Sequence, residues 1–454
     1  MARLVVVSNR VPDIADNTGP RAGGLAVALA DALAPGSLWF GWSGRQFSER
    51  STAVGTVQAN GITYATIGLS ENDYRGYYLG FSNDTLWPLF HMLPSLVTFN
   101  TADYETYKNV NKLFATALAK LLTPDDLIWI HDYQLLTLAD ELRQLGTNNP
   151  IGFFLHIPFP APALFATLPP AEDLFFKILA YDLIGFQTEQ DKEHFLATAR
   201  GYNLNVQGET ISYDGRIARA VVTPIGMNHR SFNQMAIRAA SRVEARRVIE
   251  SLSGRALMIG ADRLDYTKGL PARFDAYGRF LSTYSEQRRR ISYLQIAAPS
   301  REEVEKYKSL RNELDYKVGT INGAFSDFDW VPLRYMTRTV GRVVLAGLFR
   351  ISRIGLVTPL RDGMNLVAME YIAAQPENDP GVLILSRFAG AATLLPEALQ
   401  VNPYDTDMLA SAIHKALTMS LEERIERHKA LLAHIQTHNA TSYSQNFLDE
   451  LKTI

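Results

Sequence analysis

Short apolar runs bounded by turn residues alternate along the chain with longer stretches of helical spacing. This alternation is typical of strands and helices that build a parallel sheet. The first series of predicted strands comprises Leu4–Val7, Leu127–His131, Gly152–His156, Leu183–Gln187 and Ala218–Thr223. The second series comprises Ala256–Ile259, Tyr293–Ala297, Ile354–Thr358 and Val382–Leu385. The pattern predicts an α/β protein with two Rossmann-like, doubly wound domains facing a central cleft.

The domain boundary is expected near residue 230, between the two series of strands. Met235–Ser251 is rich in Ala, Arg and Glu and predicts one helix there, and Ser420–Ile454 predicts terminal helices. We therefore expect an N-terminal domain over residues 1–232, a C-terminal domain over 233–435 and a helix over 436–454 that packs back on the N-terminal domain. Ligands of such sheets bind beyond the carboxyl ends of the strands.

Composition excludes several classes of function. The 454 residues carry a formal net charge of -2, so no overall field favours nucleic acid or a membrane surface. The absence of cysteine excludes disulfides, thiolate metal sites and a cysteine nucleophile. Leu4–Val7 is too short for the core of a signal peptide. Arginines interrupt the apolar stretch Val343–Pro359, so this stretch is not expected to span a bilayer. We expect a cytoplasmic protein.

Polar residues follow several predicted strands of the first half. Arg10 follows the first strand, and Gly23 and Gly24 precede a predicted helix, a combination that could bind a phosphate, although a glycine pair is more often only a tight turn. Asp132 and His156 each follow a strand. A single histidine there is more often a hydrogen-bonded core residue, but two histidines, His131 and His156, beside Asp132 favour a site.

The second half repeats this arrangement with more charge. Arg263 and Lys268 lie between a strand and a helix predicted to begin at Pro271, where the helix dipole and two cations could hold a pyrophosphate without metal. The alternative is a surface turn with solvated charges. Arg301 follows the next strand, and the segment from Thr358 to Glu370 follows another, with Asp362 placed to accept hydrogen bonds from hydroxyls.

Aromatic residues from Tyr77 to Pro88 are of the type that stacks on a sugar ring, although core packing is the simpler interpretation for most of them. Two acidic triplets, beginning at Asp327 and Asp405, are interpreted as loop carboxylates. His434 and His438 are four residues apart, but the sequence offers no third metal ligand beside them.

Taken in order and spacing, these segments resemble the trehalose-6-phosphate synthases, which are retaining glycosyltransferases of the two-Rossmann-domain (GT-B) type. The resemblance runs from Leu4–Arg10 to Val401–Asp405, and it is most specific around His131, His156, Arg263–Gly269 and Thr358–Glu370.

The resemblance implies a role for each candidate residue. The ligands of glucose 6-phosphate, the acceptor, would be Arg10, Tyr78, Trp87, Asp132 and Arg301. Arg263 and Lys268 would stabilise the leaving diphosphate. The other donor-site residues would be Gly23, Gly24, His156, Val340, Asp362, Met364, Asn365, Leu366, Val367 and Glu370, with Glu370 on the ribose.

The implied reaction transfers glucose from a nucleotide-glucose, UDP-glucose being the expected donor, to glucose 6-phosphate, giving α,α-trehalose 6-phosphate. No metal or other cofactor is implied, nor a nucleic-acid or membrane partner, and a homo-oligomer is expected. Met369 and Val340 stand where the family commonly has lysine and an aromatic residue, which leaves the choice among UDP-, GDP- and ADP-glucose open. The alternatives are another phosphorylated acceptor, as in glucosylglycerol-phosphate or cyclitol-phosphate synthases, and a non-catalytic sugar-phosphate sensor.

Overall fold

Buried strands flanked by helices make up both halves of the chain in a computed structural model, which describes residues 2–12, 29, 33–301 and 304–454. The first compact unit, unit 1, contains Met1–Ile225 and Ala440–Ile454, and unit 2 contains Gly226–Asn439. The chain therefore passes from unit 1 to unit 2 a few residues before the predicted boundary, and its C-terminal helix belongs to unit 1.

Within the described residues, unit 1 carries a ten-stranded sheet. Its strands are β1 (Leu4–Arg10), β2 (Leu38–Phe47), β3 (Gly55–Ala59), β4 (Ile62–Ser70), β5 (Leu127–His131), β6 (Ile151–Phe154), β7 (Leu183–Phe186), β8 (Asn205–Gln207), β9 (Thr210–Tyr213) and β10 (Arg216–Val222). Their order is β3-β4-β2-β1-β5-β6-β7-β10-β9-β8. The strands from β4 to β10 in this order are parallel, and antiparallel strands extend both edges.

Unit 2 carries a six-stranded sheet in the same described part of the chain. Its strands are β11 (Ala256–Arg263), β12 (Ile291–Ala298), β13 (Leu333–Met336), β14 (Ile354–Val357), β15 (Val382–Ser386) and β16 (Leu399–Val401). All neighbouring strands are parallel, in the order β13-β12-β11-β14-β15-β16. This is the doubly wound order of dinucleotide-binding folds, in which the chain reverses direction across the sheet between β11 and β14.

Helices connect the strands. The α-helices of unit 1 are Glu71–Asp73, Trp87–Phe90, Thr101–Ala119, Leu138–Gln144, Pro162–Phe165, Ala171–Ile178, Glu189–Gly201 and Ala440–Lys452. Those of unit 2 are His229–Ala240, Val243–Leu252, Leu270–Thr283, Glu305–Phe325, Arg342–Ile351, Leu366–Ala374, Ala391–Leu394, Thr406–Thr418 and Leu421–Thr437. Among the described residues, no helix has the length and apolar character that crossing a bilayer requires.

The predicted strands are present, because apolar runs such as Val5–Val7 and Leu127–His131 are fully buried at the centres of the sheets. Several strands escaped prediction. The sequence of β3 has no apolar run, and all its residues but the last are exposed, while β2 and β4 mix glycine and polar residues into their buried faces. Pairing with neighbouring strands defines these segments, and a local pattern does not show it.

The single helix predicted over Met235–Ser251 is wrong. The structure has two helices, His229–Ala240 and Val243–Leu252, and Arg242 between them is extended, with φ -74° and ψ 161°. No glycine or proline lies at the break, so helix propensity alone predicts one continuous helix.

The C-terminal helix lies directly on the sheet of unit 1. Phe447 stacks on Trp129 of β5 at 5.0 Å between ring centroids. A Cβ on Gly152 or Gly185, in β6 and β7, would lie 2.7 Å from the Phe447 ring. Both glycines are therefore required for this close approach.

Candidate active site

In unit 1, the strand order reverses between β1 and β5, which are parallel neighbours with Ser8 paired to His131. Arg10 is the last residue of β1, and Asp132 directly follows β5. The fold therefore places these two candidates at the same edge of the sheet, at the switch point where doubly wound folds bind ligands.

Arg10 lies against an aromatic group on the adjacent elements. Its guanidinium carbon is 5.9 Å from the centroid of the Trp42 ring. The rings of Tyr74 and Tyr78 stack at 5.4 Å, and Tyr78 lies 6.2 Å from Trp42. Gly44 has φ +83°, and a Cβ there would lie 2.6 Å from the guanidinium. The structure thus brings Arg10 and Tyr78 to one aromatic surface, and Trp42 and Tyr74 are members that the sequence did not reveal.

The segment that carries Tyr78 is a π-helix over Tyr74–Leu86. Such helices are rare and often occur at functional sites. Its Asn83 donates to the Tyr78 carbonyl at 2.7 Å and accepts from the Tyr133 hydroxyl at 2.8 Å. This side chain ties the aromatic segment to the turn after β5.

Trp87 and Asp132 are joined through Tyr133. The Trp87 side chain is buried, and its ring lies 5.6 Å from that of Tyr133. Asp132 has φ +76°, an uncommon conformation for a residue with a side chain, and its carboxylate accepts from the Tyr133 and His156 backbone N–H groups at 3.1 and 3.4 Å. Strained backbone of this kind clusters at ligand sites.

A hydrogen-bond chain fixes the tautomers of the two histidines. The Ile225 N–H donates to Gln187 Oε1 at 2.9 Å, so the amide nitrogen of Gln187 faces His156 Nδ1 at 3.4 Å. His156 Nδ1 is then the acceptor, and the protonated Nε2 of His156 donates to His131 Nδ1 at 3.1 Å. Burial lowers the pKa of His131 well below its usual value and lowers the pKa of His156 to about 3. Both rings are neutral near pH 7.

In unit 2, the candidate residues cluster at the switch point between β11 and β14. Lys268 lies in the turn after β11, and its ammonium pairs with Asp362 Oδ2, in the turn after β14, at 2.5 Å. Asn365 donates to the same oxygen at 3.0 Å. The structure therefore joins Lys268, Asp362 and Asn365 across the two turns.

The turn after β14 presents backbone at the start of the helix Leu366–Ala374. Asn365 has φ +76° and makes no side-chain cap, so the first N–H groups of this helix, including those of Leu366 and Val367, are directed beyond its N-terminus. Met364 is buried, and a Cβ on Gly390 would lie 1.9 Å from the Gly363 carbonyl oxygen. This packing holds the turn in a form that suits an anion.

Arg263 and Arg301 share a carboxylate that sequence reasoning missed. Asp265 is fully buried, and its Oδ2 lies 3.3 Å from Arg301 Nη1 and 3.9 Å from Arg263 Nη2. Burial would raise the pKa of Asp265, but the charges of Arg301, Arg263 and Lys268 outweigh burial and lower the pKa to about 2. The carboxylate is ionised throughout the physiological range.

Arg273 is a second residue that the sequence did not indicate. It is fully buried and donates to Asp262 at 2.6 Å, to Thr358 Oγ1 at 3.0 Å and to the Lys268 carbonyl at 3.1 Å. Arg273 therefore connects β11 to the turns that carry Lys268 and Asp362.

Glu370 has a protein partner in unit 2. Its carboxylate lies 3.0 Å from Arg342 Nη2. Burial raises the pKa of Glu370, and Arg342 opposes this shift. Val340 lies two residues before Arg342 and is half-buried, while Met369 is fully buried.

Some predicted features lie elsewhere. Gly23, Gly24 and most of the helix predicted after them fall outside the described residues. The acidic triplet at Asp327 pairs with Arg255 and Arg289 at the surface, and Asp405 caps the helix Thr406–Thr418. His434 does have an acidic neighbour, Glu397, at 3.3 Å. In the part of the chain that the structure describes, no three His, Cys, Asp or Glu side chains are grouped to hold a metal ion.

Two doubly wound units, with cations and a helix N-terminus at a switch point, define a class of proteins that bind phosphorylated ligands. The sequence model of Glycosyltransferase family 20 matches residues 3–453. A trehalose-6-phosphate synthase of Sinorhizobium fredii is 46% identical, over 99% of this chain and 98% of the relative. The chain therefore belongs to glycosyltransferase family 20, and the predicted class of enzyme is confirmed.

Solved structures agree over the whole chain. An α,α-trehalose-phosphate synthase (UDP-forming) from Burkholderia xenovorans in complex with glucose-6-phosphate has a TM-score of 0.96 at 44% identity, covering 99% of this chain and 100% of its own. A structure from E. coli, named trehalose-6-phosphate and bound with UDP-2-fluoro glucose, has a TM-score of 0.95 at 44% identity, covering 100% of this chain and 99% of its own. These likenesses confirm the predicted α/β fold class.

Proposed function

We propose that this chain transfers glucose from a nucleotide-glucose, with UDP-glucose as the expected donor, to glucose 6-phosphate, forming α,α-trehalose 6-phosphate and a nucleoside diphosphate. The strongest support is the cationic switch point of unit 2, together with relatives that match nearly the full length of the chain and are named for this synthesis. The relatives solved with glucose-6-phosphate and with UDP-2-fluoro glucose support these two substrates.

Arg263 and Lys268 stabilise the leaving diphosphate. The bond between the donor C1 and the β-phosphate oxygen breaks, and negative charge develops on that phosphate. The Arg263 guanidinium is about half exposed, and the Lys268 ammonium is held by Asp362. Cations fixed before the reaction stabilise the developing charge more than they stabilise the ground state.

The new bond joins the donor C1 to the 1-hydroxyl oxygen of glucose 6-phosphate. The resemblance implies retention of configuration with attack from the same face, in which a leaving phosphate oxygen accepts the proton of the acceptor hydroxyl. Unit 1 supplies Arg10, Tyr78, Trp87 and Asp132 to the acceptor, and Arg301 of unit 2 binds its phosphate. Unit 1 is then chiefly the acceptor unit and unit 2 the donor unit.

The donor contacts combine backbone and side chains. The Met364–Val367 backbone and Asp362 bind the phosphate and glucose, Glu370 binds the ribose, and Val340 lies near the base. His156 offers its Nε2–H, which donates to His131 in this structure, to a hydroxyl of the donor glucose. A donor hydroxyl thus competes with His131 for this proton.

The test is a reaction of purified protein with glucose 6-phosphate and, in turn, UDP-, GDP- and ADP-glucose. Release of the diphosphate together with a phosphorylated non-reducing disaccharide is expected, and the donor series ranks the nucleotides. No diphosphate and no disaccharide with any donor would overturn the proposal. Glycerol 3-phosphate that outcompetes glucose 6-phosphate would assign a different acceptor, and binding of both ligands without turnover would indicate a sensor.

The expected setting is a homo-oligomer in the cytoplasm. Light scattering on a sizing column measures the assembly directly, and a mass equal to the 50.7 kDa chain would contradict the oligomer.

A further inference from the structure

Asp265 uses its two carboxylate oxygens for different purposes. Oδ1 accepts from the Thr267 backbone N–H at 3.0 Å and from the Thr267 hydroxyl at 2.9 Å. Oδ2 is directed towards Arg301 at 3.3 Å, the Tyr307 hydroxyl at 3.4 Å and Arg263 at 3.9 Å. One oxygen shapes the turn that leads to Lys268, and the other contacts the two arginines.

We propose that Asp265 is a positioning residue that holds Arg263 and Arg301 through one carboxylate oxygen and so links the binding of the two substrates. The proposal rests on the proposed function, in which Arg301 binds the acceptor phosphate and Arg263 the leaving diphosphate. Asp265 itself is fully buried and acts through the arginines.

The electrostatic reason is the repulsion between neighbouring cations. Two guanidinium groups near one oxygen, with the Lys268 ammonium close by, repel one another when no anion lies between them. A buried carboxylate offsets this repulsion by its charge on both arginines, and its hydrogen bond from Arg301 also orients the Arg301 guanidinium, because charge-assisted hydrogen bonds are directional. Arg301, whose side chain is nearly buried, depends on this anchor most.

Tyr307 provides a matched control, because its hydroxyl accepts a hydrogen bond from Arg301 but carries no negative charge to hold Arg263. Arg301 donates to the Tyr307 hydroxyl at 2.6 Å, and the guanidinium lies 5.7 Å from the centre of the phenol ring. The Tyr307 hydroxyl also donates to Asp265 Oδ2 at 3.4 Å, but it lacks the carboxylate charge that faces Arg263. Loss of the Tyr307 hydroxyl should therefore affect the acceptor, whereas loss of the Asp265 charge should affect both substrates.

The experiment compares Asp265→Asn with Tyr307→Phe. The Asn side chain retains an oxygen for Thr267 and replaces Oδ2 by an uncharged amide, so the turn keeps its cap. For Asp265→Asn we expect a KM for glucose 6-phosphate and a calorimetric Kd for UDP that each rise about tenfold, with a lower kcat. For Tyr307→Phe we expect only the KM for glucose 6-phosphate to rise, about threefold. An Asp265→Asn variant that changes neither ligand, or only one, would overturn the proposal.

If the Asp265→Asn chain does not fold, a second measurement tests the proposal. Arg263→Lys and Arg301→Lys are combined in a double-mutant cycle on kcat/KM. If one carboxylate holds both arginines, the double variant should depart from the product of the single effects by at least about threefold. Strictly multiplicative effects would overturn the proposal.

Wild-type turnover is measured beside the variants. If the wild type makes no disaccharide, the proposed function fails, while UDP and glucose 6-phosphate binding to the variants still decides the role of Asp265. A wild type that binds neither ligand overturns both.

Discussion

The two switch points handle charge in opposite ways. In unit 1, Gln187, His156 and His131 form a neutral hydrogen-bond chain across the carboxyl ends of β7, β6 and β5, next to the β1–β5 switch point. At the β11–β14 edge of unit 2, Lys268 and Arg263 are full charges held against Asp362 and Asp265. The same doubly wound frame therefore supports a neutral site and an ionic site.

This difference indicates a division of labour. Neutral imidazoles and aromatic rings suit hydroxyl groups and sugar faces, because they form hydrogen bonds and stacking contacts at little electrostatic cost. Fixed cations suit phosphates and a departing diphosphate. Arg10 on the aromatic surface and Asp132 after β5 are charged exceptions in unit 1, which the phosphate and the hydroxyl groups of the proposed acceptor would explain.

The largest effect is expected for Arg263→Ala. In the proposed function the charge of Arg263 opposes that of the leaving diphosphate, so kcat should fall about 100- to 1,000-fold while the Kd of glucose 6-phosphate changes little. Rapid-quench or steady-state kinetics give kcat, and calorimetry gives the Kd. Equal losses in turnover and acceptor binding would defeat this role of Arg263.

Arg301→Ala should have the next largest effect, and on a different parameter. If Arg301 binds the acceptor phosphate as proposed, its removal should raise the KM for glucose 6-phosphate about 10- to 100-fold and leave the slow reaction of unphosphorylated glucose unchanged. Kinetics with both acceptors measure this contrast. If both acceptors suffered alike, Arg301 would not be a phosphate ligand.

The neutral His156 of unit 1 should make the folded chain less stable in acid. The pKa of His156 is about 3 in the folded chain and about 6.5 when unfolded, so the unfolded chain binds more protons below pH 6.5 and stability falls as the pH falls. Between pH 7 and pH 5, the free energy of unfolding should drop about 1.5 to 2 kcal/mol more for the wild type than for His156→Gln. Denaturant titrations at both pH values decide, and parallel losses in the two proteins would refute the neutral His156.

The smallest effect is expected for Gln187→Leu, which removes the donor to His156 Nδ1. The loss of this hydrogen bond should lower kcat/KM for the nucleotide-glucose about fivefold. In the matched variant Gln187→Glu, the carboxylate accepts from His156 and should move the proton to Nδ1. Ring nitrogen NMR with labelled histidine reads the tautomer, and an unchanged tautomer in Gln187→Glu would contradict the chain as described.

The sequence predicted two series of strands and most of the polar side chains at their carboxyl ends, because short buried runs followed by polar residues carry that information locally. It did not predict the strand order, so the two switch points come from the structure. It did not predict Asp265, Arg273, Gln187 or Arg342. These residues act through contacts between distant positions, such as Arg273 with Thr358, 85 residues apart, and Asp265 with Arg301, 36 residues apart.

The aromatic segment was likewise predicted only in part. Its residues were recognisable as types that bind sugars. Their spacing did not predict the π-helix over Tyr74–Leu86, because that form depends on the neighbours that pack against it. The break between the helices that end at Ala240 and begin at Val243 could not be predicted for the same reason.

The division between a neutral sugar site and an ionic phosphate site is tested most directly by ring nitrogen NMR of His156 during ligand titration. UDP-2-fluoro glucose should shift the His156 Nε2 signal, because a sugar hydroxyl replaces His131 as its acceptor, whereas UDP alone should leave the signal in place. An equal shift with UDP, or none with the sugar nucleotide, would contradict the account.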